Sequence, residues 1–188
     1  YIEQKPQFLH ALTPLPEDPL APPIVQMMLT AGKLSGVGPM AAVAGAVAQH
    51  VARDLRDLTN NIIVENGGDI FMKTERERRV AIFAGESPLQ GKVALRIKPA
   101  DMPLGICTSS ATVGPSLSFG RADAVCVLSP SAALADAAAS RIGNQVKSSK
   151  DIKKALAAGA QIPDIMGIVI IIGDRMGAWG NVEFFEYG

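Results

Sequence analysis

The chain has 188 residues, the length of one domain or of one domain with an appendage, and enough to bury a core without disulfide or metal staples. Hydrophobic residues make up 48% but aromatic residues only 5%, which predicts close packing of small aliphatic side chains. Eighteen basic and eighteen acidic residues cancel, and the densest basic stretch, Lys73 to Arg79, is interrupted by Glu75 and Glu77; no nucleic-acid-binding face is expected.

Tyr1 to Leu9 reads as a short helix. Pro14, Pro16, Pro19, Pro22 and Pro23 then impose an extended connection. Ile24 to Lys33 reads as a helix with Ile24, Met27, Met28 and Ala31 on one face. We divide the chain here, into N-terminal helices with their Pro-rich connection (1–35) and an α+β domain (36–188). Gly36-Val37-Gly38-Pro39 is a turn with Pro placed to start a helix. That helix, Met40 to about Leu58, has almost no polar residue before Gln49, so it is buried on nearly every side until its charged far end. Its Ala and Gly residues let neighbouring backbones approach closely.

Asn61 to Glu65 reads as a buried strand and Ile70 to Met72 as its successor. The charged run Lys73 to Arg79 is expected to be a hairpin tip, with Val80 to Phe83 returning. Val93 to Ile97, Gly105 to Thr108 and Ala124 to Leu128 are further strands. Ser129-Pro130 supplies an N-cap and first turn for a helix from Ser131 to about Lys147. A last helix covers Asp151 to Ala158, followed by strands at Gly167 to Ile172 and Val182 to Phe185. Strands come in runs instead of alternating with helices. The fold class is therefore α+β, a mixed or antiparallel sheet with packed helices.

Cys107 and Cys126 form no C-x-x-C pair and sit in apolar runs, so two buried thiols are expected, in a reducing, cytoplasmic setting. His10 and His50 are the only histidines, too few for a His-rich metal site. No apolar run reaches the ~18 residues that span a bilayer. The chain opens at Tyr1 without a methionine, as expected where native N-terminal residues are missing.

Three segments are candidates for chemistry. In Asn66-Gly67-Gly68-Asp69, two glycines follow a buried strand. They allow positive φ and close approach of a ligand to backbone N–H groups, or simply a tight turn between strands, the plainer of the two readings. Thr108, Ser109, Ser110 and Thr112 cluster hydroxyls at a strand end, which suits either a nucleotide phosphate or a polar loop. Asp136, Ser140 and Asn144 recur every four residues and so share one helical stripe. A carboxylate and a hydroxyl one turn apart suit a hard cation such as Mg²⁺; the other reading is a solvated helix face, against which stands the absence of Lys or Glu before Arg141. Gly36-Val37-Gly38-Pro39-Met40-Ala41 formally fits a dinucleotide fingerprint, but no strand precedes it.

In this order, the Gly/Ala-rich helix, Asn66-Gly67-Gly68-Asp69-Ile70, Thr108-Ser109 and Ala135-Asp136-Ala137 with Ser140 are similar to the ApbE family of FAD:protein FMN transferases. The strings Val37 to Gly45, Val64 to Phe71, Gly105 to Ser110 and Ser118 to Val125 resemble still more closely an uncharacterised prokaryotic family related to ApbE. The resemblance implies an ApbE-like fold. It also implies that FAD or FMN is bound beside Asn66, Gly67, Gly68, Asp69, Thr108, Ser109 and Ser110, and that Mg²⁺ is held by Asp136 and Ser140. FAD cleavage at the pyrophosphate, with FMN passed to a Ser or Thr of a target protein, is the implied reaction.

The chain departs from the ApbE pattern at named places. Ala44 or Val43 stands where ApbE enzymes carry a Lys, their His-x-x-Asp-Pro stretch is absent, Pro115 stands where the closer family has a His, and Ser140 replaces a Thr. Nucleotide and metal binding are thus more firmly implied than catalysis, and no general base is identified; Asp123 is a candidate, with a structural role the plainer reading. The alternatives are a non-catalytic module that binds a flavin or another nucleotide, and an interaction protein, in which case a homo-oligomer could form through the small-residue helix.

Overall fold

The computed structural model describes residues 1–112 and 118–185. Its centre is a six-stranded antiparallel sheet in the order β1 (Ile62–Asn66), β2 (Asp69–Lys73), β5 (Leu104–Ser109), β6 (Ala124–Ser129), β7 (Gly167–Ile172), β8 (Arg175–Gly180). A second, three-stranded antiparallel sheet orders β3 (Arg78–Ala81), β4 (Ala94–Ile97), β9 (Phe184–Phe185). Helices α3 (Val43–Asp54), α4 (Ala132–Gly143) and α5 (Ile152–Gly159) cover the other face of the large sheet, and α2 (Pro23–Ser35) packs on α3 and α4. A short α1 (Gln7–His10) precedes them.

This three-layer arrangement explains the continuous apolar runs of the central strands. Successive side chains of a strand point to opposite faces, and here both faces are covered. Val125, Val127, Ile168 and Ile170 pack under the helices. Ala124, Cys126, Leu128, Val169 and Ile171 pack on the small sheet, against Ile82, Val93, Leu95 and Ile97. Both thiols are fully buried, which pushes the Cys107 thiol well up and the Cys126 thiol up to about 12.

Helix α4 is the hub. Ala132, Ala133, Ala135, Ala137, Ala138 and Ala139 are all buried, because a methyl group is the largest side chain that fits between α2, α3 and the sheet. The backbones touch at glycines. A Cβ on Gly105 of β5 would lie 2.3 Å from the Ala132 Cα, and one on Gly45 of α3 would lie 2.2 Å from the Ala132 carbonyl oxygen. A third cluster joins Phe8, Val25, Met28 and Leu29 of the N-terminal segment to Ala46 of α3 and to Ala133 and Ala137 of α4.

Several expected elements differ. The first helix is confined to Gln7–His10, since Pro6 leaves a three-residue turn before it. The long helix at 40–58 is a 3₁₀ turn, Pro39–Ala42, followed by α3, and ends at Asp54. Lys73 to Arg79 is not a hairpin tip: β2 pairs with β1 and β5, while β3 crosses to the small sheet and pairs with β4. Pairing partners are chosen by tertiary packing, which a local charge run does not encode. The N-cap of α4 is Ser131, whose hydroxyl accepts from the Leu134 N–H, with Ser129-Pro130 still in the approach, and the helix ends at Gly143, short of Lys147. Strand β8, Arg-Met-Gly-Ala-Trp-Gly, has too weak an apolar pattern to be read as a strand and is seen only through its pairing with β7.

Candidate functional site

A cavity of about 310 Å³ opens where α4, the start of α3, β2 and the N-terminal segment meet, within the size range of small-ligand sites. Asp69, Asp136, Ser140 and Asn144 form its polar wall. Leu9, Leu12, Val37, Met40 and Val43 form its apolar wall, with Phe119 at one side.

The polar wall follows from the elements behind it. The 3.6-residue period brings Asp136, Ser140 and Asn144 to one stripe of α4, and each is partly accessible on a helix otherwise buried over most of its length. Asp136 meets the start of α3, where helix geometry leaves N–H groups without intrahelical partners. The Gly45 N–H donates to Asp136 Oδ2 at 3.0 Å. Gly45 is required for this approach, because a Cβ there would come within 3.0 Å of the Asp136 Cβ. Asn144 accepts from the Phe119 N–H at 2.8 Å and so ties the 118–121 segment to the end of α4.

The Asn66-Gly67-Gly68-Asp69 segment is the tight turn of the β1–β2 hairpin. Asn66 pairs with Asp69, and both central glycines have positive φ (64° and 100°), as a two-residue turn of this kind needs. The Asn66 amide donates to the Ala44 carbonyl at 3.3 Å, locking the turn to α3. Gly67 and Gly68 are exposed. Asp69 is the member delivered into the cavity. It shares the helix-facing side of β2 with Phe71, is 8% exposed, and accepts from the Thr108 N–H at 3.1 Å.

The hydroxyl cluster divides. Thr108 contributes its N–H to Asp69, while its side chain lies beside Cys126, its cross-strand partner, on the sheet's other face. Ser109 lies on the helix side, near Gly143 of α4. Ser110 pairs with Thr112 at 3.2 Å. None of the three lines the cavity among the described residues. Asp123 is engaged elsewhere, accepting from the Gly173 N–H at 2.7 Å. Pro115 lies outside the described residues.

Electrostatics set this cavity apart. Burial raises the Asp69 pKa from 3.8 to about 6, against the lowering effect of the Thr108 N–H and the Cys107 thiol, with Glu65 adding to the rise. Burial, then the charge of Asp69, hold Asp136 well above the carboxylate range in spite of the Gly45 and Ala44 N–H groups. Two desolvated, mutually repelling carboxylates with no basic side chain among the described residues of the cavity lining are in the situation that a cation relieves. The donors are hard: carboxylate oxygens, the Ser140 hydroxyl and the Asn144 amide. They suit Mg²⁺, which takes one or two carboxylates and completes its shell with phosphate and water. No cluster of three or more His, Cys, Asp or Glu exists among the described residues.

Sequence reasoning had no signal for Leu9 and Leu12 as part of the apolar wall, whose Val37, Met40 and Val43 lie in the Val37 to Gly45 string. Leu9 and Leu12 belong to the N-terminal stretch, which packs so closely over Gly38 that a Cβ there would lie 1.7 Å from the Ala11 carbonyl oxygen. In the sequence Gly38 read as part of a turn and of the Val37 to Gly45 string, with no sign of this contact.

Comparison with known proteins places the chain in a family. The chain is 41% identical over 187 residues to a UPF0280 protein of Methanocaldococcus jannaschii, covering 97% of this chain and 76% of that protein. It is 42% identical over 183 residues to a UPF0280 protein of Methanocella arvoryzae, covering 97% and 74%. Among solved structures, the flavin transferase ApbE from Vibrio cholerae superposes with a TM-score of 0.54 at 21% identity, over 77% of this chain and 50% of that one. The apo form of the Pseudomonas stutzeri flavinyl transferase ApbE gives 0.52 at 17% identity, over 77% and 51%. At such identities the likeness is one of fold, and the chain spans about half the length of those transferases. The family model described as "AbpE bacteria" matches residues 1–177, nearly the whole chain, and the protein belongs to that family.

Proposed function

We propose that this protein binds a flavin nucleotide, FAD or FMN, in the cavity between α3 and α4, with Mg²⁺ beside Asp136 and Ser140. The observation that carries the reading is that Asp69 and Asp136 line one cavity opposite an apolar wall, with no basic side chain among the described lining residues. The wall of Leu9, Leu12, Met40 and Val43 suits a flat ring system, and the oxygen donors suit a metal-bound pyrophosphate. Asp136 and Ser140 would hold the ion and Asp69 would stand across from them. When bound, the ion supplies charge neutralisation at the pyrophosphate and at a departing phosphate. The protein's own contribution is to position the nucleotide against α4, to keep the carboxylates away from bulk water, and to fix Asp136 through the Gly45 N–H.

In this reading the reaction is cleavage of FAD at the pyrophosphate, with transfer of FMN to a hydroxyl of a target protein. The fold shared with ApbE flavin transferases supports it. A second reading, a non-catalytic flavin-nucleotide module, is favoured by Ala44 or Val43 standing in the region where the resemblance implies a Lys. Incubation with FAD, Mg²⁺ and a peptide acceptor containing Ser and Thr, followed by chromatography of the nucleotides, separates the two. AMP release that Asp136→Asn abolishes is the outcome for an enzyme. Tight binding of FAD without AMP is the outcome for a module. Absence of FAD binding removes both.

A further inference from the structure

Phe119 is the one aromatic residue among the described residues that line the cavity between α3 and α4. It is 51% exposed. Single exposed apolar side chains are ordinary on a protein surface, so exposure alone says nothing. The backbone around this one, however, is fixed at every step. The Phe119 N–H donates to Asn144 Oδ1 at 2.8 Å, and the Lys147 ammonium donates to the Phe119 carbonyl. Gly120 sits directly on the end of α4, where a Cβ would come within 2.0 Å of the Gly143 carbonyl oxygen. The Arg121 N–H then donates to the Val146 carbonyl at 2.7 Å. A large apolar side chain is thus held in place at the cavity and left half in water.

Its place relative to the carboxylates is set by α4. Asp136 and Asn144 are eight residues apart on one stripe, about 12 Å along the helix axis at a rise of about 1.5 Å per residue. Asp136 marks one end of the polar wall, where the cation and pyrophosphate are proposed, and Asn144 marks the other, where it holds Phe119. The ribityl chain of a flavin nucleotide carries its ring to a comparable distance from its phosphate, whereas the furanose of the adenosine half keeps adenine closer. A ring fixed in advance by its backbone loses little freedom when a ligand stacks on it. Stacking of a nucleotide ring on an aromatic side chain is commonly worth about tenfold in affinity or more.

We infer, resting on the flavin-nucleotide reading above, that Phe119 is a ligand-binding residue whose ring stacks on the isoalloxazine of the bound nucleotide. The test is titration of FMN against the whole chain, followed by flavin fluorescence, for the wild type, Phe119→Ala and Phe119→Trp, each with Mg²⁺ and with chelator. Without ligand, Phe119→Ala is expected to melt within about two degrees of the wild type, as a half-exposed side chain should. It is expected to bind FMN about tenfold more weakly, by the same factor with Mg²⁺ as with chelator, because the ring contact does not involve the cation. Phe119→Trp is expected to bind as the wild type does and to quench the emission of the bound flavin well below its wild-type level, since an indole stacked on an excited flavin quenches it by electron transfer. A purely structural Phe119 would leave that emission unmoved. Equal FMN binding by the wild type and Phe119→Ala, a loss confined to Mg²⁺, or unchanged emission in Phe119→Trp would overturn the placement of Phe119 and leave the flavin-nucleotide reading standing. No FMN binding by the wild type in either condition would overturn both.

Discussion

Asp136 is held by atoms that belong to another helix. Its carboxylate receives the Gly45 N–H from the first turn of α3, so it caps that helix from a distance as well as facing the cavity. The same contact makes Gly45 irreplaceable: Gly45→Ala must displace the Ala132 carbonyl or Asp136, and we expect a loss of about 1–3 kcal/mol, read as a fall in melting temperature. Asp69 sets the pH response. Its pKa is raised from 3.8 to about 6 by burial, so the folded state holds the proton more tightly than the unfolded chain does. Its contribution to stability is present below about pH 4 and lost as pH rises through about 6. Cation binding runs the other way, since it needs the ionised carboxylate. Melting curves between pH 4 and 8 should therefore show metal-free stability declining across that window, and a Mg²⁺-dependent gain that is absent at pH 4 and grows toward pH 7. A gain independent of pH would separate Asp69 from the cation.

At the scale of elements, the β1–β2 hairpin aims Asp69. Gly68 has a φ of 100°, where a branched side chain is strained. Gly68→Val is expected to destabilise by about 1–2 kcal/mol and to weaken the Mg²⁺ response beyond what stability alone explains. Equal losses in Gly68→Val and in a hairpin change remote from Asp69 would show that the turn only supports the sheet. The stripe on α4 was legible in the sequence because a four-residue spacing needs only helix geometry. The run from Ala132 to Ala139 signalled burial and so disfavoured a solvated face for Asp136. Strand β8 was not legible, because Gly177 and Gly180 are chosen for contact: a Cβ on Gly177 would lie 2.4 Å from Ile152 of α5.

For the whole molecule, three layers explain why both faces of β5, β6 and β7 read as apolar. Composition and strand runs were enough for the α+β class, while the partition of β3, β4 and β9 into a second sheet was not encoded locally. The cavity itself is assembled from Leu9 and Leu12 at one end of the chain, Asp69 near its middle and Asp136 beyond. Only chain folding brings these together, and the sequence supplied its polar half alone. Among the described residues no helix is long and apolar enough to cross a membrane.

The central claim is that the cavity between α3 and α4 takes a flavin nucleotide through a cation on Asp136. Its most direct test is a thermal shift of the wild type and of Asp136→Asn with FAD, each with and without Mg²⁺. At about 100 times its dissociation constant, a bound ligand adds about 2.7 kcal/mol, which is several degrees for a domain of this size. We predict that FAD with Mg²⁺ raises the melting temperature of the wild type, that FAD alone raises it less, and that Asp136→Asn, still folded, loses the Mg²⁺-dependent part. No rise in the wild type, or the same rise in both proteins, would contradict the claim.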